Sequence, residues 1–203
     1  MEKLFSIDNP VWKFIGNIAD MFFLSVMWYL SLIPLVTAGC GTTAVYYVTL
    51  KMTEDLEGKT IPQFIKSFKQ NLKQTVTVWI PSLIMLIILF LDINMALSST
   101  SSVSVFLSVF FLTCILILII FLSMLFPIIA RCADTTSVQI KNCVKICIQN
   151  PFAALSVGLI NVSLFLLGIF VFWPLLLIAP GLSAYLNSYV INHIFRKYSM
   201  NLE

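Results

Sequence analysis

Uncharged apolar runs alternate with short basic stretches along this chain. Met21 to Leu50 carries no charge, Gln74 to Ala130 carries only Asp92, and Ile146 to Phe195 carries none apart from the titratable His193. The last run is 50 residues long, about 75 Å as a continuous helix. A bilayer core is about 30 Å thick, so this run predicts two crossings. The break falls in WPLLLIAPG, where Pro174 and Pro180 lack a backbone donor and Gly181 permits a bend. The predicted spans are about 150–172 and about 175–196.

The middle run divides at Asp92, Asn94 and Ser98 to Ser102, a polar turn without positive charge. It predicts a hairpin with spans of about 75–97 and about 103–130, kinked at Pro81 and Pro127. The first run, Trp12 to Leu50, is long for one span and short for two. An internal echo bears on it. Pro34-Leu35 and Pro174-Leu175 lie 140 residues apart, and the same offset pairs Gly41 with Gly181, Thr43 with Ser183 and Ala44 with Ala184. Asn9-Pro10 likewise matches Asn150-Pro151. A repeated Asn-Pro start, Pro-Leu break and glycine return makes the first run a hairpin of about 10–33 and about 37–56.

The expected fold is therefore an all-α, single-domain membrane bundle over 1–203, with six transmembrane helices as three hairpins. If Thr37 to Leu56 does not cross, there are five. LIPLVTAGC also resembles a lipoprotein cleavage site, but Thr37 stands three before Cys40 where an apolar residue is needed.

Composition agrees with a lipid solvent. Of 203 residues 60% are hydrophobic and 10% charged, against roughly 25% charged in soluble domains. All twelve Lys and Arg fall in four clusters: Lys3 and Lys13; Lys51, Lys59, Lys66, Lys69 and Lys73; Arg131, Lys141 and Lys145; Arg196 and Lys197. Six crossings put every one of them, and both termini, on the cytoplasmic side. Five crossings would leave Lys3 and Lys13 outside. Thr60 to Gln74 and, more weakly, Gln139 to Gln149 are basic and amphipathic. They predict short helices that lie in the headgroup layer or simply lead into the spans.

Motifs for chemistry are absent. There is no GxxxxGK[ST], HExxH or GxSxG. Cys40, Cys114, Cys132, Cys143 and Cys147 form no CxxC pair, and the one histidine gives them no company. No metal, cofactor, enzymatic activity or nucleic-acid partner is expected. The candidates are polar groups at membrane depth. Asp20 forms a stripe with Asn17 and Lys13, and would either pair with Lys13 or Arg131 or serve a function. Arg131 and Asp134 are spaced for a local ion pair. Ser183, Tyr185, Asn187, Ser188, Tyr189 and Asn192 on the last helix mirror Thr42, Thr43, Tyr46, Tyr47 and Thr49 on the second. Such residues either pack two helices at the bundle centre or line a polar path or pocket, with breaks at Pro34, Gly41, Pro174 and Gly181.

The opening IDNPVWKFIGNIADMFFLSVMWYLSLIPLVTAGCGTTAVYYVTLKM, the FIKSFKQNLKQ segment and the closing APGLSAYLNSYVINHIF together resemble the YesL family of small bacterial membrane proteins. The resemblance spans nearly the whole chain. It implies a protein of the bacterial cytoplasmic membrane with no known biochemical activity. Family members often stand beside carbohydrate ABC uptake systems, which implies an accessory or regulatory role with sugar permease subunits as partners. A small stand-alone transporter or channel, working as a homodimer, is the alternative.

Overall fold

A computed structural model describes residues 10–56, 58–98 and 102–198. Every regular element among them is helical. The helices are α1 (Pro10–Leu32), α2 (Ala38–Met52), α3 (Thr60–Leu97), α4 (Ser102–Arg131), α5 (Thr136–Gln149), α6 (Pro151–Phe170) and α7 (Ala179–Lys197). Short 3₁₀ turns at Leu35–Thr37 and Trp173–Leu177 precede α2 and α7. Lys3 and Asn9, and most of the turn from Ser98 to Ser102, lie outside the described residues, as does the side chain of Lys13.

Four helices are long and apolar enough to cross a membrane: α1, α3, α4 and α6. The other two predicted spans differ from expectation. α2 has 15 residues, about 22 Å of helix, short of a full core thickness. α7 has 19 residues, many of them polar. α2 sits at the centre, enclosed by protein, and α7 buries one face while Leu186 and Tyr189 stay exposed. Every residue from Ala38 to Leu50 except Thr42 is buried, and so are Ser183, Asn187, Ser188 and Asn192 of α7. A helix shielded by other helices can carry hydroxyls and amides that lipid would penalise.

The boundaries retain the echo seen in the sequence. α1 and α6 begin at Pro10 and Pro151, and α2 and α7 begin at Ala38 and Ala179, both 141 residues apart. The contact between α2 and α7 joins equivalent positions: the Asn187 amide donates to the Tyr46 hydroxyl, again 141 residues away. The outer contacts are not symmetric. α1 packs on α7, whereas α4 packs against both α2 and α6 and stands between them.

The segment Thr60 to Gln74 is not a separate helix. It continues without a break into the next span, giving a helix of 38 residues, about 57 Å long. Only part of its apolar stripe is covered: Phe64 is buried within the bundle, while Ile61, Ile65 and Leu72 stay exposed. Gln139 to Gln149 does belong to a separate helix, α5, which ends at Asn150 before Pro151 opens α6. At its far end α2 closes with Asp55 in the left-handed region (φ 55°). The Leu56 N–H returns to the Lys51 carbonyl at 3.0 Å, so the last turn is capped as in a Schellman motif.

Candidate functional site

Two polar clusters occupy the α2–α7 seam. The first closes the basic end of the bundle, where α2 and α7 finish. Arg131, at the end of α4, is buried. One guanidinium nitrogen lies 3.2 Å from Glu54 Oε1 and donates to Asn192 Oδ1 at 2.7 Å. The Asn192 amide in turn donates to the Leu50 carbonyl at 3.0 Å and to Thr53 Oγ1 at 2.8 Å. The guanidinium also stands over the Phe195 ring, 4.9 Å from its centroid. One turn deeper, Ser188 donates to Thr49 across the seam at 2.9 Å.

The second cluster lies midway along the bundle. Asn187 donates to the Tyr46 hydroxyl (3.1 Å) and to Asn161 Oδ1 (2.8 Å). Asn161, on α6, donates to Ser123 Oγ on α4 (3.1 Å) and reaches the Tyr46 oxygen (3.5 Å). Asn187 is fully buried, and its Oδ1 has no hydrogen-bond partner among the described residues. Against this cluster stands a cavity of about 250 Å³ whose lining includes Tyr46, Ser123 and Asn161 together with Trp28, Trp79 and Phe165. Its indole nitrogens are already engaged: Trp28 donates to Thr42 Oγ1 and Trp79 to the Leu35 carbonyl.

The predicted breaks carry the close packing. A Cβ on Gly181 would fall against the Met21 carbonyl oxygen, with the Met21 Cα and carbonyl carbon at 3.0 Å. A Cβ on Gly41 would strike the Ser31 hydroxyl. Only glycine lets α7 approach the α1 backbone and α2 approach the end of α1 so closely. Ser25 then serves both helices at once. Its hydroxyl accepts the Gly181 N–H (2.9 Å), which the first turn of α7 leaves without a partner, and donates to the Met21 carbonyl (2.8 Å). Pro34 and Pro174 sit at the two 3₁₀ turns, Pro34 just before the first and Pro174 within the second.

The remaining expected residues are placed as follows. Asp20 accepts from the Thr60 hydroxyl at 2.6 Å, across to the start of α3, rather than pairing with Arg131. Asn17, one turn earlier on α1, is within hydrogen-bond reach of Tyr185, which shares a second hydrogen bond with Tyr189 at 2.8 Å. Thr43 faces α3 and lies 3.4 Å from Thr75, away from the cavity; its neighbour Thr42 lines the cavity instead. Asp134 is exposed, and its backbone carbonyl accepts from Gln74. Arg131 takes Glu54 from 77 residues away instead of the local carboxylate. The reason is orientation: α4 ends at Arg131 and the chain turns away, while α2 finishes beside it.

Sequence reasoning missed Asn161, Ser123, Ser25 and Glu54. Asn161 carried a usable signal, an isolated amide midway along an apolar run. Ser25 and Ser123 had none, because a serine in a lipid-soluble helix can bond to its own backbone. On α5, outside the spanning helices, a hydrogen bond with Cys147 and burial push the Cys143 thiol up, while the same bond lowers Cys147. No group of three or more metal-ligating side chains occurs among the described residues.

Comparison with known proteins adds one finding. The model of a family described as a protein of unknown function, DUF624, matches residues 21–93. That segment runs from α1 to near the end of α3 and includes Trp28, Tyr46, Glu54 and Trp79, but not Arg131, Asn161 or Asn187. No curated protein and no solved structure matches the chain. The chain is thus similar, over α1 to α3, to a family of unknown function, and its apolar helices are those of a membrane protein.

Proposed function

We propose that this chain crosses the bacterial cytoplasmic membrane six times, with both ends inside, and acts without catalysis as an accessory partner of a carbohydrate ABC uptake system. The resemblance to the YesL family supplies the sugar-uptake context. The observation that carries the partner role is the bare α3–α4 hairpin. Between Ile84 and Ile117 only Leu89, Ala96 and Ser104 are buried among the described residues. Over this stretch the two helices stand off from the bundle and offer apolar surface to another protein's helices as readily as to lipid. The basic end, by contrast, is sealed by Arg131, Glu54 and Asn192, which suits a docking subunit better than an open conduit. Six crossings are supported by the common end shared by Lys51, Arg131, Arg196 and Lys197.

The test is co-purification. A tagged chain drawn from native membranes in mild detergent should carry permease subunits with it, and replacing Phe106 and Phe110 by Ala should reduce their yield. Recovery of the chain alone, with solute flux through the pure protein in liposomes, would favour the second reading, a small transporter. That alternative draws on the paired helix breaks and the central cavity.

A further inference from the structure

The cavity has a chemistry that can be read from its hydrogen-bond accounts. Its walls are apolar and aromatic: Trp28 and Phe165 meet with ring centroids 6.0 Å apart, as do Trp79 and Phe126. Among the described residues no charged one lines it. Most of its polar groups are already spent. Thr42 accepts from Trp28 and donates to the Ala38 carbonyl, and Ser183 donates to the Pro180 carbonyl. Both Asn161 amide groups are engaged. The hydroxyl protons left unspent are confined to one spot. The hydroxyls of Tyr46 and Ser123 both accept amide protons, and neither has an acceptor for its own proton among the described residues. Behind them Asn187 Oδ1 is unmatched. Exchanging the amide ends of Asn161 and Asn187 would use the hydroxyl protons and strand the Asn187 amide nitrogen instead. One unmatched polar group persists in either arrangement.

These accounts exclude several ligand classes. A sugar brings several hydroxyls, each a donor and an acceptor, and most of them would be buried against apolar walls without partners. An anion or a cation finds no countercharge. We infer that the cavity is a binding site for an uncharged amphiphile of about ten heavy atoms, scaled from benzene in a cavity of about 150 Å³, with one hydroxyl-type tip on an apolar body. The tip meets Tyr46 and Ser123, and the body lies among Trp28, Trp79, Phe126 and Phe165. A hydroxyl both donates and accepts, so it can pair with the Tyr46 and Ser123 hydroxyls in either amide arrangement. The inference is independent of any partner protein, and its test uses the pure chain, so its failure would leave the partner role standing.

The experiment uses the full chain in mild detergent, with Trp12 and Trp173 replaced by Phe so that emission comes from Trp28 and Trp79 alone. The probe is para-bromophenethyl alcohol, whose bromine quenches nearby indoles. Its comparison is para-bromoethylbenzene, the same body without the hydroxyl. Quenching by the alcohol should saturate and be reversed by unbrominated phenethyl alcohol, while glucose should not displace it. The hydrocarbon should bind about fivefold more weakly, the loss of one neutral hydrogen bond. Tyr46→Phe and Ser123→Ala should each bring the alcohol toward the hydrocarbon's affinity. Quenching that rises with concentration without saturating, equal affinities for the two probes, or displacement by glucose would overturn the assignment. If Tyr46→Phe disturbs folding, Ser123→Ala and the two-probe comparison on the unsubstituted cavity still decide it.

Discussion

Replacing Arg131 by Met removes the group that ties α4 to α2 and α7 at the basic end. The loss can be estimated from its surroundings. The Arg131 and Glu54 side chains are only 4% and 13% exposed, and they lie 3.2 Å apart. Removing one member of such a buried pair costs about 3–5 kcal/mol, because the other charge stays buried without compensation. Asn192 Oδ1 loses its 2.7 Å donor as well, which on its own costs about 1–3 kcal/mol. Partial water access at Glu54 offsets some of this, so the expected net loss is about 3 kcal/mol. Unfolding in mixed detergent, followed by indole emission, measures it. Adding Glu54→Gln to Arg131→Met removes the stranded carboxylate and should recover at least half of the loss. A single variant within about 0.5 kcal/mol of the parent, or a double variant worse than Arg131→Met alone, would refute the reasoning.

Gly181→Ala should lower stability by about 1–3 kcal/mol through overpacking against the Met21 backbone. Gly16→Ala, on α1 with nothing within 4 Å of the new Cβ, should be neutral or slightly stabilising; thermal unfolding of the pair separates close approach from helix propensity. In a cysteine-free background, Thr42→Cys should react with a small thiol reagent from the cavity. Thr43→Cys should stay unmodified, since Thr43 is fully buried and faces Thr75. In the native chain at neutral pH, Cys147 should alkylate well before Cys143. A thiol pushed up forms its reactive thiolate only at higher pH, and Cys143 is also fully buried; mass mapping of the α5 peptide checks the order.

The extent of each helix was partly legible before any packing was known. The 3₁₀ turns fall where Pro34 and Pro174 stand in the sequence, and α6 opens at Pro151. Proline and glycine act on the backbone at their own positions, so they can be read without a partner. Continuity was less legible. The basic stripe of Thr60 to Gln74 fits either a surface helix or a lead-in to the next span, and α3 takes the second course, passing through Gln74 unbroken, because nothing there removes a backbone hydrogen bond. Charge content alone does not end a helix.

The sequence by itself determined that the solvent is lipid, that the secondary structure is helical, and where the chain breaks and repeats. These follow from hydropathy over about 20 residues and from local backbone chemistry. Tertiary structure alone decided which polar groups meet. Asp20 finds Thr60 rather than Arg131, Arg131 finds Glu54 rather than Asp134, and Asn161 joins Tyr46 and Asn187 from a third helix. Each of those choices depends on how one helix is rotated and raised against its neighbour. A shift of one residue turns a side chain by about 100°, and only the packing of helix on helix fixes that register.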